Sequence, residues 1–261
     1  MVIKILIPLI IVLIVISLFL GDKNTENENY KEVKVLAYSG SNTDENCVYL
    51  MGKILDQSNS QNMVPGVKFV YNTTKVINSQ TLSDCDVLIM PGSSKGYDYI
   101  SNEDVNVDDL KSFVSSGKGF IGICAGAYSA AQYTDNWYYG WGLAPNVINI
   151  PYLEVGNVTI DATSAGNEVL GYSDKFISHI NGPAMYTSGD GVVTFATYTY
   201  TNSSYGGYAA IVGDRYGDGR TVLSGVHPEL TPQHPEILVK LIIWAYNGSF
   251  VNDTAGVNTG T

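Results

Sequence analysis

The sequence predicts an α/β fold, a parallel sheet with helices on both faces. Two observations predict it. Short apolar runs alternate with segments of helical period through the first half of the chain, which is the order of βα units. Several of those runs, such as residues 87–90 and 120–123, are apolar at every position, as strands buried on both faces are.

The elements follow in order. Residues 34–38 form strand one, 47–57 a helix, 67–71 the second strand and 87–90 the third. Residues 108–115 read as a helix stopped by Gly117. Residues 120–123 are the next strand, and the alanine-rich stretch 125–132 reads as helix. From 141 to 208 the pattern changes to apolar–polar alternation, clearest over 192–200, which predicts antiparallel strands with a tyrosine-rich polar face. Residues 220–226 return to a strand, and 237–244 carry the last helix, ending near Asn247-Gly248. The domain spans 33–248, with a flexible tail over 249–261.

Cys124 falls on the turn from a strand into a helix, with Gly122 two before it and Gly126 two after. This is the G-x-nucleophile-x-G elbow, with cysteine at the nucleophile position. The glycines permit a sharp turn that pushes the sulfur out at the carboxyl end of the sheet, and a helix amino terminus favours a thiolate. The plainer alternative is a small buried cysteine beside a glycine-rich strand end.

His227, one of three histidines, ends a strand in Gly225-Val226-His227-Pro228-Glu229. Pro228 biases it toward extended backbone, and residues two apart in an extended segment face the same way. Glu229 then accepts the second ring N–H and leaves the other nitrogen for a thiol; the alternative is a merely solvated glutamate. His234-Pro235-Glu236 repeats the tripeptide, but an apolar periodic run follows it, so it reads as a helix start with Pro235 in the first position. His179 has no such context and reads as structural. The turn at Pro91-Gly92-Ser93-Ser94 follows strand three at the same sheet edge. It is either an ordinary turn or part of an oxyanion site, with Gly92 and Ser93 on one side and the Ala125 N–H on the other.

A cysteine elbow followed by His-x-Glu on this strand pattern resembles the class I glutamine amidotransferase superfamily. More closely, the chain resembles the amino-terminal domain of long biotin-protein ligases, which also occurs free-standing. The matching pieces are Val35-Leu36-Ala37-Tyr38-Ser39-Gly40, Leu88-Ile89-Met90-Pro91-Gly92, Gly122 to Tyr128, Asn181-Gly182-Pro183 and Ser224 to Glu229. The resemblance implies a flavodoxin-like sheet with an antiparallel strand-rich segment before the His motif. It also implies a Cys124, His227, Glu229 triad, with Tyr128, Asn181 and Gly182 near the substrate. Glutaminases of the superfamily carry Gln where Tyr128 stands, which argues against free glutamine as substrate. Nothing resembles the basic nucleotide-binding loop of biotin ligases, and the chain owns two arginines, Arg215 and Arg220. Neither a metal nor a cofactor is expected.

Residues 5–20 are apolar and uncharged, preceded by Lys4 and followed by Glu26 and Glu28. Residues 1–21 thus read as a signal peptide or a membrane anchor, and 22–32 as a polar linker, with the domain outside the cytoplasm. The formal net charge of −11 disfavours nucleic acid as a partner. Five sequons, at Asn72, Asn157, Asn202, Asn247 and Asn252, fit an extracytoplasmic surface. Three cysteines make no disulfide framework, and Cys47 and Cys85 lie at opposite edges of the predicted sheet, beyond bridging distance. The sequence therefore supports a thiol hydrolase acting on a small-molecule or peptide-like substrate. A cell-surface binding module without turnover on the same scaffold is the alternative.

Overall fold

A computed structural model of the chain describes residues 30–171, 174–200 and 204–249. Lys31 onward forms one unit. The segment read as signal or anchor lies outside the described residues, as do most of the linker and tail.

In chain order the first elements are β1 Lys31–Tyr38, α1 Glu45–Gln61, β2 Val67–Thr74, α2 Ser79–Leu82 and β3 Val87–Met90. Then come α3 Val107–Ser115, β4 Gly119–Ile123, α4 Ala125–Ala130, β5 Ala131–Thr134 and β6 Tyr138–Tyr139. The antiparallel region holds β7 Ala144–Ile150, β8 Val155–Ala162, α5 Asn167–Leu170, β9 Lys175–Ile180, β10 Ala184–Thr187 and β11 Val193–Tyr198. The chain closes through β12 Ala209–Tyr216, β13 Gly219–Ser224 and α6 Pro235–Asn247.

Five strands pair in parallel in the order β2-β1-β3-β4-β13, the flavodoxin-like arrangement. β3 and β4 are buried along their whole length because helices cover both faces. α1 and α6 pack in one apolar cluster, through Met51, Ile54, Leu238 and Leu241. Leu110 and Phe113 of α3 belong to the cluster on the other face. β12 continues the sheet antiparallel to β13, followed by β10, β7, β5 and β6, while β11, β8 and β9 branch from β12. The predicted fold class is therefore borne out.

Two boundaries differ from expectation. The predicted helix over 125–132 ends at Ala130, because Ala131 turns extended and joins the sheet beside β7. Sheet pairing overrides the alanine propensity there, and the strand-rich region begins ten residues before Trp141. β1 also begins two residues before the predicted domain start, since Lys31 and Glu32 pair with Val67 and Lys68. The three cysteines are buried and unpaired. Among the described residues no helix is long and apolar enough to cross a membrane.

Candidate active site

The carboxyl ends of β1, β3, β4 and β13 meet at one edge of the parallel sheet, where open α/β sheets hold ligands. Cys124 sits between β4 and α4 with φ 53° and ψ −106°, a left-handed conformation that side-chain-bearing residues rarely hold. The flanking glycines are there because backbone meets backbone. A Cβ on Gly122 would lie 2.5 Å from the Gly126 carbonyl oxygen, and one on Gly126 would lie 2.0 Å from Met90 O. No side chain fits either position, so the spacing read from the sequence is a steric requirement of this turn.

His227 follows β13, and its N–H donates to Ser178 O at 2.9 Å. Its Nδ1 lies 2.8 Å from Glu229 Oε1, with both side chains buried. Nε2 of His227 and Oε2 of Glu229 are buried without hydrogen-bond partners. Burial opposes charge on the imidazole. The Glu229 carboxylate and the thiols of Cys124 and Cys47 outweigh it and hold His227 well above the usual histidine range. Cys124 Sγ itself donates to Ile180 O at 3.3 Å.

The fold adds a residue that sequence reasoning assigned only to a helix. Cys47, in the first turn of α1, has its Sγ within 4.8 Å of ligand atoms of both His227 and Glu229. Burial pushes its thiol up to about 12, against the pull of His227, so it stays protonated. The signal was available, because Cys47 opens the helix after β1, on the edge where such sheets bind ligands. Cys47, His227 and Glu229 also offer thiol, imidazole and carboxylate donors of the kind that hold zinc. Glu229 already engages Nδ1, so the carboxylate orients the ring.

Gly92 approaches all of these groups. A Cβ there would lie 3.1 Å from His227 Cε1, 3.7 Å from Cys47 Sγ and 3.9 Å from Cys124 Cβ. Its carbonyl accepts from Asp44 N and Tyr99 Oη and so turns into the protein. Ser93 lines the cleft with its hydroxyl donated to Asp98 at 2.6 Å. Ala125 is the first residue of α4, so its N–H lacks an intrahelical partner.

The cleft over Cys124 encloses about 690 Å³, and its wall includes Asp44, Ser93, Tyr97, Tyr128, Trp137 and Asn181. Tyr128 is buried and stacks on Trp137 at 5.9 Å, and its hydroxyl accepts from Tyr152 N at 3.4 Å. Asn181, exposed with φ 54°, lines the cleft. Gly182 does not line it. A Cβ there would lie 2.0 Å from Gly225 O, so it serves close packing against the His227 segment. The strand after Pro183, β10, runs into the sheet between β12 and β7. Residues just before Gly182 reach the thiol. His234 stands at the N-cap position of α6 with no side-chain cap bond, its Nδ1 3.2 Å from Glu236 and its Nε2 3.0 Å from Phe176 O.

Residues 33–138 match the family model for the amino-terminal part of biotin-protein ligase. The match takes in Cys124 and ends before His227. No curated protein matches the chain. Among solved structures, a GMP synthase-type protein of Thermoplasma acidophilum superposes with a TM-score of 0.55 at 15% identity, covering 82% of this chain and 94% of that one. A ThuA-like protein of Bacteroides uniformis gives 0.53 at 14% identity, covering 83% and 94%. Identities this low speak for the fold alone. The chain is thus similar over residues 33–138 to the biotin-protein ligase amino-terminal family, on a fold shared with the GMP synthase-type and ThuA-like proteins.

Proposed function

We propose that this protein is an amidotransferase-like thiol hydrolase acting on an amide or ester through Cys124, His227 and Glu229. The observation that carries the reading is the buried His227–Glu229 pair beside the elbow cysteine, whose sulfur helps hold the His227 proton. In this mechanism His227 carries the proton that its Glu229 partner favours; the Cys124 thiol releases its own proton to solvent, and the thiolate paired with the imidazolium attacks the acyl carbon. The N–H groups of Ala125 and of the Gly92–Ser93 turn stabilise the resulting oxyanion. The C–N or C–O bond then breaks, His227 protonates the leaving amine or alcohol, and a thioester remains for water or an amine to clear.

The substrate is a small-molecule or peptide-like acyl compound larger than free glutamine. A buried phenol at 128 lacks the paired donor and acceptor of a carboxamide, while Trp137 and Tyr97 offer half-exposed rings at the mouth. The apolar segment 5–20 and its flanking charges support membrane attachment, or secretion after cleavage, with the domain on the extracytoplasmic side. A Ser249→Cys label on intact cells should react with a membrane-impermeant reagent; protection until lysis would refute that placement.

A second reading, a binding module without turnover, draws on the Cys124 S–H being given to Ile180 O. Iodoacetamide separates the two. Burial holds Cys47 and Cys85 at about 12, so fast labelling at neutral pH reports Cys124, with Cys124→Ala as the blank. Slow labelling would favour the binding module. Ammonia release from glutamine that vanishes in Cys124→Ala would instead make the protein a glutaminase.

A further inference from the structure

β9 and the turn after it bring three successive backbone features to the site. Ser178 O accepts the His227 N–H at 2.9 Å, Ile180 O accepts Cys124 Sγ at 3.3 Å, and Asn181 lines the cleft. Between them, His179 is fully buried, against an outward-facing Ile180 that is 38% exposed. Its Nδ1 lies 2.9 Å from Glu154 O and its Nε2 3.1 Å from Gly182 O. The ring packs on Tyr152 at 4.2 Å and meets the edge of Tyr198. Asn181 N–H donates to the same Glu154 carbonyl at 2.8 Å. Burial lowers the pKa of His179, so the neutral ring donates to one of these two carbonyls and packs its other nitrogen against the second. The charged or titratable groups around that imidazole are Glu154, His227, Tyr152 and Tyr198.

A carbonyl oxygen only accepts. It stabilises a protonated thiol and repels a thiolate, and while it holds the S–H the sulfur is kept out of a thiolate–imidazolium pair with His227. We propose that the Ile180 carbonyl is a brake on Cys124 and that His179 is the positioning residue that keeps it applied. This rests on the thiol-enzyme reading above. A ligand that fills the cleft and presses on Asn181 shifts the turn, frees the sulfur from its acceptor and lets it swing to the Nε2 side of His227, where loss of the thiol proton to solvent leaves a thiolate beside the imidazolium. The site is then active only when occupied, which protects a reactive sulfur between turnovers.

The test is iodoacetamide alkylation of the full chain across pH, with each cysteine quantified by peptide mass. His179→Phe keeps a ring against Tyr152 but loses both polar contacts. It should speed Cys124 alkylation at neutral pH about tenfold, the worth of one hydrogen bond, and move the inflection to lower pH. His179→Gln reaches the Gly182 carbonyl with its amide and should stay near the parent rate. Asn181→Gly loosens the same exposed turn without touching the core and should speed alkylation in the same direction. Unchanged or slower Cys124 labelling in both His179→Phe and Asn181→Gly, with a reactive parent, would overturn the brake. If His179→Phe also exposes Cys47 and Cys85, the residue is merely structural there and Asn181→Gly decides. A parent Cys124 as slow as Cys47, indifferent to His227→Ala, would instead sink the enzyme reading, and the brake with it.

Discussion

The chain contains the tripeptide His-Pro-Glu twice, seven residues apart, and the two copies have different surroundings. Both make the local His–Glu contact, at 2.8 Å for His227–Glu229 and 3.2 Å for His234–Glu236. In the first copy the side chains are 3% and 0% exposed, in the second 16% and 42%. His227 lies beside two thiols, whereas His234 has spent its Nε2 on Phe176 O and stands at the N-cap position of a helix. The tripeptide thus encodes the pairing, and burial decides what the pairing is worth.

The largest contrast should be in stability. Removing one partner of a buried ion pair costs about 3–5 kcal/mol, against about 0–1 kcal/mol for a partly exposed one. Glu229→Ala should therefore lower the urea midpoint far more than Glu236→Ala; equal losses would erase the distinction between the copies. Reactivity comes next. A neighbouring imidazolium favours the thiolate, so His227→Ala should slow Cys124 alkylation at pH 7 by roughly tenfold or more, and His234→Ala should leave it nearly unchanged. The reverse order would identify His234 as the thiol's partner. The smallest effect is a slope. The folded pKa of His227 is raised above its unfolded value, so its contribution to stability is fully present below about 6.5 and is lost as pH rises through the raised value. Unfolding midpoints should fall on alkalinisation in the parent and in His234→Gln, with a flatter dependence in His227→Gln. An unaltered slope in His227→Gln would mean another group carries the linkage.

The elbow was legible because its causes are local. Gly122 and Gly126 are required by backbone contacts within a few residues of Cys124 and with the neighbouring strand β3. His-x-Glu was legible because an extended backbone sets two side chains on one face. Cys47 was named only as a helix residue and a poor disulfide partner, since nothing near it in sequence speaks of His227, 180 positions later. The approach of Ile180 to Cys124 depends on β9 pairing with β8 and on Ser178 bridging to His227. No periodicity in either segment carries that information.

By itself the sequence determined the alternating βα order, the sharp cysteine turn, the helix start at the second His-Pro-Glu and the change to an antiparallel region. Each rests on sterics or period over a few residues. Only the tertiary structure decided how deeply the first His-Pro-Glu is buried, that a second thiol joins it, that the helix after Cys124 stops at Ala130, and that a carbonyl of β9 caps the thiol. Those outcomes depend on sheet order and register, which bring together segments far apart in the chain and can override local propensity, as at Ala131.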